Sequence, residues 1–285
     1  MSNLAQQVKD DIVAQIKKDE LVLPTLPEIA LRVREVAEDA NATIPQLSQI
    51  IAQDPALSAR IIKVTNSPLI RANSPLIRAN SPVTDLGTAI SRLGIDFTSN
   101  LAIGLAMEQM FQATHDIIDK RMRECWARAM EIASSAQVLA RHFTKLQPDQ
   151  AMLAGLVHQI GMLPILAYAE NHSDLLNDSF SLDLVLEKLH PSLGSYILRS
   201  WEFSPDLVNV PKEYLNLQHQ ADSADYCDLI QVATLQSYDG SDHPLARIKR
   251  SELGSYQRLG LDADDEVTQW QELTEEAEAT QNALR

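Results

Sequence analysis

The sequence predicts an all-α fold, and three observations carry that prediction. Hydrophobic residues make up 45% of the 285 positions, yet they are mainly Leu, Ala and Ile with only 5% aromatics, a mixture that suits helices better than twisted sheets. Apolar residues recur at three- and four-residue intervals along most of the chain. No segment alternates apolar and polar residues as a half-buried strand does.

The elements follow in order. Leu4, Val8, Ile12 and Ile16 make one stripe of an opening helix over residues 3–19. Thr25-Leu-Pro27-Glu28 has the form of a capping box with a first-turn proline, so a second helix is expected there, with Ile29, Val33, Val36 and Ala37 on one face. Asp54-Pro55 offers an N-cap acceptor and a first-turn proline for a helix ending near Asn66, with Leu57, Ile61, Ile62 and Val64 buried. Clusters of Gly, Pro, Asn and Asp then bound helices expected at about 85–94, 96–111, 117–143, 149–169, 181–189, 191–201, 205–219 and 222–238.

Two segments stand apart. Residues Asn66 to Ala72 recur verbatim as Asn73 to Ala79, and the prolines at 68, 75 and 82 forbid one continuous helix, so a loop or short turns are expected. A duplicated surface loop of this length costs well under 1 kcal/mol of closure entropy, roughly. The other reading is a doubled basic and apolar arm presented to a partner. From Asp262 to Leu284 there are eight acidic residues and no lysine or arginine, although Trp270, Leu273 and Ala277 keep helical spacing. That pattern predicts a solvated terminal helix fraying into an acidic tail, with a partner-binding segment as the alternative.

The charge balance, 24 Lys+Arg against 39 Asp+Glu for a net of −15, repels polyanions and argues against direct DNA binding. Cys125 and Cys227 lack CxxC spacing and read as structural thiols of a reducing, cytoplasmic protein. The N-terminus lacks a basic and apolar leader pattern. The longest apolar run, residues 151–169, is interrupted by His158, Gln159 and Pro164, so neither a signal peptide nor a membrane span is expected. No serine or cysteine has the glycine-framed context of a nucleophile elbow, and no phosphate-cradling glycine motif is present.

Several separate words occur in one order: Leu23-Pro-Thr-Leu-Pro27, the stretch from Ile50 through Asp54-Pro55 to Asn66-Ser67, Thr88 to Gly94, His158-Gln159 inside an apolar run, His190-Pro-Ser-Leu-Gly194, and Leu198 to Pro205. Together they resemble the HDOD family, the HD-related output domains of bacterial signalling proteins, over roughly residues 20–236. The resemblance implies an N-terminal helical lobe over about 20–112 and a degenerate HD-like helical lobe over about 113–236. Residues 1–19 would form a separate helix, and 237–285 a polar, acidic helical tail.

HD-type phosphohydrolases gather His and Asp ligands from several helices around one or two metals. Carried over residue by residue, the first histidine of that pattern falls near Trp126 to Arg128, the His-Asp pair is His158-Gln159, later histidines match His190 and His219, and the final aspartate falls near Ala233-Thr234. An amide at 159 is neutral, bridges ions poorly and is no base, so the resemblance points to binding rather than catalysis. Three histidines 32 and 29 residues apart leave room for a single divalent transition metal on His158, His190 and His219, although no cofactor is expected. A cluster of hydrogen-bonded core histidines is the plainer expectation. Glu187 and Asp228 are available as supporting partners or substitute ligands. His115, His142, His172 and His243 belong to the surface or to loops.

The function expected on these grounds is a non-catalytic regulatory module. It would act in trans on signalling proteins, with a small nucleotide as a further ligand of a pocket formed by Arg128, His158, Gln159, His190 and His219, and with no membrane partner. The alternative is a metal-dependent phosphohydrolase of a nucleotide or cyclic dinucleotide with an altered ligand set, in which the Arg128 guanidinium holds a phosphate.

Overall fold

The computed structural model describes residues 3–18, 22–67, 82–261 and 268–285. Its regular elements there are all helical: α1 (Asn3–Lys17), α2 (Glu28–Glu38), α3 (Ile44–Ile51), α4 (Pro55–Thr65), α5 (Leu86–Leu93), α6 (Ile95–Ala106), α7 (Asp116–Phe143), α8 (Pro148–Val157), α9 (Met162–Glu170), α10 (Ser173–Leu176), α11 (Ser179–Ser200), α12 (Pro205–Glu213), α13 (Tyr226–Gln236), α14 (Gly254–Leu259) and α15 (Thr268–Leu284). Short 3₁₀ turns fill several of the gaps.

The helix starts follow local chemistry. Asp54 accepts from the Leu57 amide at 3.0 Å and Asp85 from the Thr88 amide at 2.7 Å, each satisfying an orphan donor of a first turn. The capping box expected at Thr25 does not form. The second helix starts two residues later, after Pro27, with no side-chain cap. A capping box forms instead at Thr43 and Gln46, ahead of α3, a helix the sequence reading did not single out.

Two further boundaries differ from expectation. Residues 149–169 form two helices, because the chain turns at His158 to Gly161. The expected pair 181–189 and 191–201 is one helix, α11, with Pro191 inside it. Proline removes one hydrogen bond there, and burial of Leu189, His190, Leu193 and Gly194 holds the helix together across it.

The long helix α7 is the spine. It packs along α8, α13 and α15, while α8 also touches α6, and α9 and α12 pack on α11. One continuous apolar core runs from Ala5 on α1 to Leu284 on α15, across both expected lobes. The opening helix is part of this body: Ala5, Val8 and Ile12 are buried, α1 packs on α11, and Tyr168 donates to Asp11 at 2.5 Å.

The terminal segment is a correction to the solvated tail. α15 packs on α7 and α4 and buries Leu273, Ala277, Thr280, Ala283 and Leu284. Glu276 takes bonds from Arg141 at 2.5 Å and His142 at 2.8 Å, and Arg60 donates to the Leu284 carbonyl. Acidic residues dominate the composition, but an apolar stripe decides where the helix lies.

The duplicated heptapeptide lies outside the described residues apart from Asn66 and Ser67. Its flanks are stapled: Asn66 donates to the Val83 carbonyl and accepts from the Val83 amide, both at 2.8 Å. One described stretch, Pro148–Glu170, is long and apolar enough to cross a membrane, and 83% of that window is buried inside the molecule.

Candidate functional site

Two close backbone approaches build the site. Gly155 lies against Ala133, where an added Cβ would meet the Ala133 backbone at 2.3 Å, so α8 packs tightly on the spine. Gly161 lies against α11, where a Cβ would meet the His190 carbonyl at 2.1 Å and the Gly194 amide nitrogen at 2.4 Å. Only glycine permits such contact. The turn from His158 to Gly161 is thereby clamped beside the middle of α11, which puts His158 and His190 in one part of the core.

His158 is fully buried, and its Nδ1–H donates to the Gly155 carbonyl at 2.6 Å. Its Nε2 has no hydrogen-bond partner among the described residues. His190 is buried too, and donates from Nδ1 to the Leu186 carbonyl at 2.7 Å. That bond leaves Nε2 of His190 as an acceptor, and Tyr214 supplies the hydrogen at 2.8 Å. The Tyr214 ring also meets the His158 ring edge to face at 4.9 Å. Burial disfavours the imidazolium, taking His158 down to about 3 and His190 to about 4, and pushes the Tyr214 phenol up. All three are neutral at ordinary pH.

Gln159 faces a neighbouring cleft of about 500 Å³ that it shares with Arg121, Cys125, Arg128, Glu131 and Arg285. The Cys125 thiol donates to the Gln159 amide oxygen at 3.6 Å, and burial pushes that thiol up to about 12. Arg128 is fixed by a 3.1 Å bond to Ser237 and lies 4.6 Å above the Tyr238 ring. Its charge reaches inward, disfavouring protonation of His158 and favouring ionisation of Tyr214 and Glu131.

These residues do not fit a divalent cation. Among the described residues no carboxylate bonds either imidazole, the free nitrogen of His190 is taken by Tyr214, and a guanidinium already contributes positive charge. The arginines and the Gln159 amide suit an anion in the cleft, where the carboxylates of Glu124 and Glu131 also lie.

His219 stands elsewhere. It bonds Asp225 at 2.8 Å and faces Glu213 at 3.6 Å, in a separate cleft beside the start of α13. Arg128, Gln159, His158 and His190 are neighbours; His219 is not in their cleft. Asp228 is not available as a ligand, because both of its oxygens are held by Arg258 at 2.7 and 2.5 Å. Glu187 is exposed and pairs with Lys188. His142, His172 and His243 are exposed, and half-buried His115 caps α7 by accepting from Ile117. Both cysteines are buried and free. His219, Asp225 and Cys227 have ligand atoms within 4.8 Å of one another, a group able to hold a metal ion.

Three positions at these sites escaped the sequence reading. Tyr214 joins the two histidines, yet it sits 24 residues from His190 with no motif around it. Arg258 and Arg285 lie beyond the expected domain boundary, and the apolar stripe of α15 was the one available signal that this segment returns to the core.

Comparison with known proteins gives these features a family. A candidate metal-dependent phosphohydrolase from Shewanella amazonensis SB2B matches with 29% identity and a TM-score of 0.83, each chain covered over 100% of its length. A candidate signal transduction protein from Marinobacter aquaeolei VT8 matches at 22% identity and TM-score 0.64, covering 98% of this chain and 66% of that one. An HDOD domain protein from Geobacter sulfurreducens does so at 17% and 0.64, covering 98% and 99%. These last two likenesses speak to the fold alone. An uncharacterized protein from Treponema pallidum is 23% identical over 253 residues, 82% of this chain and 46% of the relative, so the chain spans about half the length of that curated relative. The family model of the HDOD domain matches residues 23–216, and the chain belongs to the HDOD family.

Proposed function

We propose that this protein is a non-catalytic regulatory module of bacterial signalling, working in the cytoplasm through a protein partner in trans and through a small phosphate-bearing ligand in the cleft beside Gln159. The observation that carries this reading is the cleft shared by a fixed guanidinium, Arg128, and Gln159, an amide where a bridging carboxylate would be needed. An amide and a guanidinium are donors to phosphate oxygens, and Arg121 and Arg285 line the same cleft. Buried, neutral imidazoles behind it add rigidity rather than a proton shuttle.

Thermal denaturation in the presence of inorganic phosphate, nucleoside monophosphates and cyclic dinucleotides tests the ligand half of this reading. At least one should raise the midpoint of the parent protein in a concentration-dependent way and leave Arg128→Ala unmoved. Absence of any shift would remove the small-ligand part and leave partner binding alone.

A second reading is a metal-dependent phosphohydrolase with an altered ligand set, in which Arg128 grips the substrate phosphate. The Shewanella amazonensis relative, a candidate enzyme of that kind at 29% identity, is what favours it. The single transition metal that this reading requires would sit on His158, His190 and His219, and the separation of His219 from the other two weighs against that set.

A further inference from the structure

We propose that His219, Asp225 and Cys227 form a site for one divalent transition-metal ion of the zinc class, outside the degenerate HD pocket. Imidazole, carboxylate and thiolate are the three protein ligand types that zinc accepts, and their donor atoms here lie within 4.8 Å of one another. A tetrahedral zinc with bonds of about 2.0–2.3 Å has ligand-to-ligand edges of about 3.3–3.8 Å. His219 Nε2 and Asp225, now 2.8 Å apart, need to open by about half an ångström, and Cys227 to close by up to about an ångström, both rotamer-scale adjustments.

The surrounding framework prepares the ligands. Asp225 caps α13 with one oxygen, accepting from the Asp228 amide at 2.9 Å, and directs the other to Nε2 of His219 at 2.8 Å. Nδ1 of His219 faces the Glu213 carboxylate at 3.6 Å. In the metal-free protein Nε2–H donates to Asp225; on metal binding that proton moves to Nδ1, where the Glu213 carboxylate is placed to receive it, and Nε2 becomes the ligand nitrogen. The His219 carbonyl is anchored by Arg258 at 3.2 Å, and Arg258 is itself locked to Asp228. Cys227 sits in the first turn of that helix, buried and free.

Electrostatics agree. The cleft, of about 330 Å³, is lined by Asp206, Glu213 and Asp225 and by no lysine or arginine among its described residues. A dication would offset that negative charge, in contrast with the arginine-lined HD cleft. Binding replaces the Cys227 thiol proton, which leaves to solvent, so one thiolate and one carboxylate balance the ion's two charges. The fourth position falls to water. Because Glu213 precedes Tyr214, an ion here would also fix the segment that supports His190.

The test uses full-length protein stripped with a chelator and titrated with Co²⁺ and then Zn²⁺. One equivalent of Co²⁺ should bind and give a thiolate-to-cobalt charge-transfer band in the near ultraviolet, and Zn²⁺ should displace it. Cys227→Ser should abolish the band, and His219→Gln and Asp225→Asn should each weaken binding at least about tenfold. Cys125→Ser and His158→Ala should change neither band nor affinity. Circular dichroism identifies any variant that fails to fold, and the remaining ligand variants then carry the test. Absence of stoichiometric binding, a band that survives Cys227→Ser, or binding lost in His158→Ala would each overturn the assignment. The last result would place the ion in the HD pocket and count against the non-catalytic reading as well.

Discussion

Tyr214 donates its phenolic hydrogen to Nε2 of His190 at 2.8 Å while its ring packs edge to face with His158 at 4.9 Å. One aromatic residue thus satisfies one core histidine and covers the other. Tyr214→Phe should keep the packing and leave Nε2 of His190 buried without a donor, costing about 1–3 kcal/mol. Chemical denaturation checks this, and an unchanged midpoint would mean that the bond contributes nothing.

Gly161→Ala should be severely destabilising, by at least about 3 kcal/mol, since its Cβ would meet the His190 carbonyl and the Gly194 amide, backbone atoms that cannot rotate away. Gly87→Ala is the control. Its Cβ would meet only Asp85 Oδ1 at an ordinary 3.5 Å, and helix propensity favours alanine by up to about 1 kcal/mol. Equal effects in the two variants, read from melting temperatures, would contradict the close approach of α9 and α11.

Stability should fall with acidification below neutral pH. In the folded chain His158 and His190 stay neutral down to about 3 and about 4, whereas the unfolded chain protonates them near 6.5. Between those values the unfolded state holds more protons, so unfolding free energy rises with pH by up to about 1.4 kcal/mol per unit for each histidine. The slope between pH 4.5 and 6 should shrink in a His158→Gln, His190→Gln double variant, in roughly that range. An unaltered slope would show that other groups set the acid limit.

Leu284→Ala should cost about 2–4 kcal/mol, as a buried leucine does, although it lies in the last turn of an acidic terminal helix. Deleting residues 262–285 should cost more, because Arg60, Val138 and Arg141 would lose their cover or partners. Urea titrations of both distinguish a docked helix from an appendage, which would tolerate either change.

The helical class, the start of α4 at Asp54 and the order of the family words were legible because they depend on neighbours in sequence: caps, prolines and apolar periodicity. The turn at His158 to Gly161 was not. An apolar run of that length reads as one helix, and the reason it breaks is contact with His190 and Gly194, more than 25 residues away. The site divided in the same way. Gln159 in a carboxylate's place could be read directly, whereas the grouping of His219 with Asp225 and Cys227, and of Tyr214 with His190, depends on how α12 and α13 pack. Charge composition misled at the C-terminus, where the three- and four-residue spacing of Leu273, Ala277, Thr280 and Leu284 outweighs eight carboxylates.

The central claim, a pocket that binds without catalysing, is tested most directly by phosphoester turnover. The full-length protein would be assayed with Mn²⁺, Fe²⁺ and Mg²⁺ in turn on a generic phosphodiester, a nucleoside monophosphate and a cyclic dinucleotide, beside His158→Ala. The account predicts rates indistinguishable between the parent and the variant, at the background of the metal alone. Metal-dependent turnover by the parent that His158→Ala abolishes would contradict it and establish the pocket as an active site.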